Sequence, residues 1–147
     1  MLKGIYSCIE DKNCIGSFNI PLQFELGKHK KKKYSLNLNT YRNLHYQVNN
    51  ALKIKVKDYI KEIILHKKEL LYISEPVEIE YIIYPGSKRR MDLDNTVVIA
   101  KYTQDALVEL GILVDDDYKH VVNISFRFGG LDPNKQGYVE ISIKGLK

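Results

Sequence analysis

VEIEYIIYPGSKRRMDLDNTVVIAKYTQDALVELG, residues 77–111, decides how this chain is built. Val77, Ile79, Tyr81 and Ile83 alternate with Glu78 and Glu80, which predicts a half-buried strand ending at the Tyr84-Pro85-Gly86 turn. A basic loop follows. The period then changes from two to that of a helix, expected over Asn95 to Leu110 and stopped by Gly111. A strand that feeds a helix through a charged loop is a unit that must pack helix on sheet.

Toward the N-terminus, Leu44, Val48, Leu52, Val56, Tyr59, Ile60 and Ile63 recur at three- and four-residue steps, predicting one long amphipathic helix from Asn39, as its N-cap, to about His66. Its outer face is basic, and His45 near its start reads as a partly buried, satisfied histidine. Before it, Phe18, Ile20, Leu22 and Phe24 alternate, with Pro21 placing the strand at an edge or at a break. After Gly111, Val122, Ile124, Phe126 and Phe128 alternate, a turn-rich stretch runs from Gly129 to Gly137, and Val139, Ile141 and Ile143 complete an expected antiparallel pair. The order strand, helix, strand, helix, strand, strand predicts an α+β fold with two helices packed on one mixed sheet. With 147 residues and 44% apolar content spread along the chain, residues 1–147 form a single expected domain.

The net charge is +5 with the acids concentrated in a few places, so the rest of the surface is more basic than the total. Polyanions are the natural partners. Cys8 and Cys14 lack His or Cys companions at zinc-ligand spacing and read as ordinary thiols. The N-terminus lacks the apolar core of a signal peptide, and no apolar run reaches the roughly 18 residues of a membrane span. The expected setting is a reducing cytoplasm, with no membrane partner.

The chemistry sits in the central segment. Asp92 and Asp94, two residues apart in an expected extended stretch, present both carboxylates to one side and can share one ion. Two hard oxygen donors suit Mg²⁺, which keeps water and substrate phosphate at its other positions. Asp94 can equally serve as a helix N-cap. Lys101 returns to within about 20° of the Asp94 face at 100° per residue, where it can meet a phosphate or instead brace the helix by pairing with Asp105. Asp115, Asp116 and Asp117 repel one another unless a cation or water relieves them. Lys88, Arg89 and Arg90 stand directly before the acids, and the run Lys28 to Lys33 is either a solvated loop or an arm that tracks a phosphate backbone through Lys31, Lys32 and Lys33.

The run Asp92-Leu93-Asp94-Asn95, Lys101, the triplet Asp105-Ala106-Leu107, Gly111 and the pair Asp115-Asp116 resembles the RusA-type Holliday junction resolvases. The match is strong over Arg89 to Val122. The resemblance implies a homodimeric, Mg²⁺-dependent endonuclease, with Mn²⁺ as a substitute metal, that nicks four-way DNA symmetrically in recombination and repair. It implies Asp92, Asp94 and Asp116 as metal ligands and, with Lys101, as the catalytic set. Two departures accompany it: the family's lysine position is Val98 here, so Lys101 corresponds only across a three-residue insertion, and Met91 stands where some members carry a basic residue. The rival expectation is a non-catalytic, basic nucleic-acid-binding module whose acids form caps and turns. A haloacid-dehalogenase-type phosphatase, suggested by DLDNT, needs an apolar strand before the motif, and SKRR stands there instead.

Overall fold

A computed structural model describes residues 13–66 and 72–146. The strands are β1 (Cys14–Pro21), β2 (Gln23–Leu26), β3 (Lys32–Ser35), β4 (Val77–Tyr84), β5 (Val121–Phe128) and β6 (Tyr138–Gly145). The helices are α1 (Leu38–Asn43), α2 (Tyr46–Ile64) and α3 (Val98–Glu109), with a 3₁₀ turn at Leu93–Thr96 before α3. The predicted α+β class and mixed sheet are what the chain forms.

The four-stranded sheet runs β1-β6-β4-β5, and a separate hairpin joins β2 to β3. β5 lies parallel to β4, and β6 lies antiparallel to both β4 and β1. The expected antiparallel pair of β5 with β6 is therefore corrected. A strand that leaves β4, crosses through α3 and returns to the same sheet comes back parallel to it. β5 takes that place at the edge, and β6 fills the slot between β4 and β1. Burial agrees: Val139, Ile141 and Ile143 of β6 are fully buried, whereas Val122, Ile124 and Phe128 of β5 are exposed. Pro21 closes β1, an edge strand as expected.

The long helix expected from Asn39 is two helices. Leu44 and His45 hold extended backbone, so α1 ends and α2 begins between them. Asn37, not Asn39, caps α1 by accepting from the Thr40 amide at 2.8 Å. His45 is an exposed N-cap of α2 whose Nδ1 accepts from the Gln47 amide, rather than a partly buried histidine. The core stripe of α2 is Leu52, Val56, Ile60 and Ile64, and Tyr59, expected among the core positions, is 42% exposed.

These helices cover the face of β4 carrying Ile79, Tyr81 and Ile83, and one polar network fixes the packing. The buried Tyr81 hydroxyl lies 2.8 Å from Thr103 Oγ1 and accepts from Gln104 Nε2 at 3.2 Å, while Thr103 Oγ1 donates to the Ile99 carbonyl at 2.9 Å. Every member has a partner, so the network registers α3 on the sheet without an orphaned polar group. Tyr102 donates to Asn49 Oδ1 at 2.6 Å and Lys57 pairs with Glu109 at 3.3 Å, joining α3 to α2. Cys14 is disulfide-bonded, correcting its reading as an ordinary thiol; Cys8 lies outside the described residues. Among the described residues no helix is long and apolar enough to cross a membrane.

Candidate functional site

The loop between β4 and α3 is fixed at three points. Asp132 donates its amide to the Pro85 carbonyl at 2.8 Å. Gly86 lies so close to the β5–β6 connection that a Cβ there would meet the Lys135 carbonyl oxygen at 2.9 Å and Gln136 and Gly137 backbone atoms at 3.0 Å. Beyond the basic residues, Asn95 Oδ1 accepts from the Leu38 amide at 3.1 Å, tying the loop's far end to the start of α1. The β5–β6 connection is shaped in turn by the buried Asp132 carboxylate, which accepts from the amides of Asn134, Gln136 and Gly137. It holds Lys135 in a left-handed conformation at φ 59°.

These anchors leave a depression of about 610 Å³ between the two loops and the entry to α1. Arg89, Arg90 and Lys135 line it with Asp92, Asn95 and Asn37. A second depression of about 470 Å³, lined by Lys31, Lys33, Lys55, Glu25 and Tyr59, shares Gln23, Gln136 and Gly137 with the first. The two adjoin along this shared wall and together make up the candidate groove. Six cations border it, and the Asp92 carboxylate is among the lining residues of its larger part.

Strand geometry sorts the lysine run. Lys33 is in β3, opposite Glu25, and with Lys31 lines the groove, whereas Lys32 lies over the Tyr34 ring at 5.5 Å from its centroid. The run is thus partly a hairpin strand rather than a free loop. Lys88 lines a smaller hollow with Phe128 and Leu131 that adjoins the first depression at Pro85, Ser87, Arg89 and Met91.

The acids are arranged differently from the extended pair expected. Asp92 has extended backbone and caps the 3₁₀ turn, but its carboxylate makes no capping hydrogen bond; its carbonyl accepts from the Asn95 amide instead. Asp94 lies within that turn, where residues two apart are not on one side. The turn also alters the reckoning to Lys101. Three steps of about 120° to Val97 and four of about 100° along α3 leave Lys101 about 40° from the Asp94 direction. Among the described residues no ion pair joins Lys101 to Asp105, so the exposed lysine is not committed to bracing α3.

The three consecutive acids have distinct roles. Asp117 Oδ1 lies 2.6 Å from His120 Nδ1 and accepts from the Lys119 amide at 3.1 Å; the hydrogen bond from His120 holds its pKa below the usual carboxylate range. Asp115 Oδ1 accepts from the Asp116 amide at 2.7 Å. The Asp116 carboxyl is pushed up, first by desolvation, then by its hydrogen bond with Asp115 and the charge of Asp105. Among the described residues no three His, Cys, Asp or Glu side chains are gathered closely enough to hold a metal, so Asp92, Asp94 and Asp116 do not form a closed ligand cage.

The expected Lys31, Lys33, Arg89, Arg90 and Asp92 thus share one groove, while Lys32, Lys88, Asp94, Lys101 and Asp116 are not among its lining residues. Lys55, Lys135, Tyr59 and Gln136 belong to the groove and were not anticipated. Asp132-Pro133-Asn134 was the available signal for the turn that presents Lys135. No protein-family model matches the chain, and no curated protein matches it significantly.

Proposed function

We propose that this protein is a Mg²⁺-dependent endodeoxyribonuclease of the RusA type, acting as a homodimer on four-way DNA junctions in recombination and repair. The observation that carries the reading is the groove in which Arg89, Arg90 and Lys135 converge with an uncommitted Asp92 carboxylate. Cations there hold backbone phosphates without reading bases. Asp92, Asp94 and Asp116 supply hard oxygen donors, and Mg²⁺ takes one or two protein carboxylates rather than a full cage, so the donor set suits it. When bound, the ion lowers the pKa of its water and offsets charge on the phosphate. Arg89 and Arg90 position the strand, the Asp115 to Asp117 turn supplies further negative charge, and Lys101 stabilises charge developing on the phosphoryl oxygens. Two sites related by dimer symmetry match the two strands that a junction requires to be cut.

A cytoplasmic setting belongs to this reading because the substrate lies there; the Cys14 disulfide is unusual for that compartment. The open arrangement of the acids favours one second reading, a non-catalytic module that binds nucleic acid through the same groove. Incubating the protein with a synthetic four-way junction, with Mg²⁺ or with EDTA, separates the two. Paired nicks that require Mg²⁺ support the nuclease. Undiminished binding in both conditions with every strand intact supports the module.

A further inference from the structure

The Lys55–Tyr59 end of the groove has a composition that phosphate contact alone does not explain. Lys55 and Tyr59 are one helical turn apart on α2, both exposed, and both line the 470 Å³ depression. Tyr59 is an exposed aromatic on a helix whose buried stripe is aliphatic and, unlike Tyr46 at the helix start, it lines this hollow; its position is set from below, where its ring meets that of the buried Phe24 edge to face, centroids 5.6 Å apart. Lys31 and Lys33 border the same hollow from the β2–β3 hairpin, and Glu25 is the single carboxylate among the described residues lining it. Gln23 and Gln136 continue the wall toward Arg89 and Arg90.

A fixed, half-exposed aromatic ring among three lysines in a hollow is the pairing of stacking platform and electrostatic groove by which proteins hold single-stranded nucleic acid. A duplex offers only its phosphates to such a hollow, because its bases are stacked inside. We propose that this end of the groove holds a single polynucleotide strand, one base stacked on Tyr59 and its phosphates paired with Lys31, Lys33 and Lys55, leading into the Arg89–Arg90 end. The proposal rests on the reading of the groove as a nucleic-acid site but not on cleavage. For a branched substrate, the strand it takes is one displaced where duplex arms meet.

The test is equilibrium binding in EDTA, by fluorescence anisotropy, of a labelled oligothymidylate and a blunt duplex of equal length, with polyglutamate as a competing polyanion. Tyr59→Ala should weaken oligothymidylate binding about tenfold and leave the duplex unchanged, and Tyr59→Phe should bind as the unaltered protein does. Lys55→Gln, at an exposed helical position, should lower the salt slope for the single strand by about one. The melting temperature of each variant identifies any that fails to fold, in which case Lys55→Gln decides. An unchanged affinity in Tyr59→Ala, an equal loss for duplex and single strand, or equal displacement by polyglutamate would overturn the proposal. Because no strand need be cut, failure of junction cleavage leaves this test intact, and loss of the single-strand preference leaves the nuclease reading intact.

Discussion

Asn95 Oδ1 accepts the backbone amide of Leu38 at 3.1 Å, joining the acid loop to a helix that begins 57 residues earlier. The bond satisfies one of the free amides at the start of α1 and fixes the end of the loop that carries Asp92. Asn95→Ala should destabilise the protein by about 1 kcal/mol in urea denaturation, the scale of a lost helix cap. Asn95→Asp keeps an acceptor beside a helix N-terminus and should fold nearly as well. Equal losses in both variants would show that the bond contributes little.

Gly86→Ala should part the two loops that form the groove, since its Cβ would press on backbone atoms 2.9 to 3.0 Å away. The expected result is a loss of about 1 to 3 kcal/mol together with weaker oligonucleotide binding. Gly111→Ala is the comparison. Gly111 has φ 77° and open space around it, so alanine there should cost about 1 kcal/mol while binding is preserved.

Asp92→Asn and Asp116→Asn should each lower junction cleavage more than about a hundredfold, while binding in EDTA stays the same or tightens because repulsion of phosphate is reduced. Asp117→Asn should cleave normally. Its carboxylate is engaged by His120 and the Lys119 amide, and its loss should loosen only the turn. A gel assay in which Asp117→Asn loses activity and Asp116→Asn does not would reverse the assignment within this triplet.

Lys101→Ala should lower cleavage about a hundredfold or more, the scale of removing a positioned transition-state charge, with stability almost unchanged. Val98→Ala should do the reverse, because Val98 is buried in the core and its truncation costs packing. Near-normal cleavage by Lys101→Ala would shift attention to Arg89 and Arg90.

Burial pushes the Tyr81 phenol up to about 12 from 10.0. The folded state thus holds this proton more tightly than the unfolded state, so the associated stability is complete below about pH 10 and is lost as pH rises toward about 12. Urea midpoints measured across that interval should fall, and Tyr81→Phe should remove this part of the decline while costing about 1 to 3 kcal/mol at neutral pH, chiefly through the Gln104 amide left without its acceptor, since Thr103 keeps the Ile99 carbonyl.

Local pattern was enough to place β4, α3 and β6, because alternation and helical spacing report directly which face of a segment is apolar. Partners were not legible in the same way. Whether β6 pairs with β5 or slips between β4 and β1 depends on the parallel return through α3, a relation among segments that no window of sequence contains. The break at Leu44–His45 has neither Pro nor Gly to mark it, and the 3₁₀ turn at Leu93–Thr96 hides behind residues equally suited to extended backbone. Of the groove, the cations clustered in sequence were visible as such. Lys55 and Lys135 were not, since each stands among ordinary surface residues until the fold brings it to Arg89 and Lys33.

The groove has walls from the β2–β3 hairpin, α2, the β4–α3 loop and the β5–β6 connection, spanning Pro21 to Gly137 in the chain. No short fragment can carry it. Recognition and folding are in consequence linked equilibria: an oligonucleotide seated there withdraws molecules from the unfolded population, and at about a hundred times its dissociation constant adds about 2.7 kcal/mol to the stability of the whole domain. Thermal shift with and without oligonucleotide therefore reads occupancy of the groove from the cooperative loss of the entire sheet, and a protein cut within either loop should lose its ligand and its fold together.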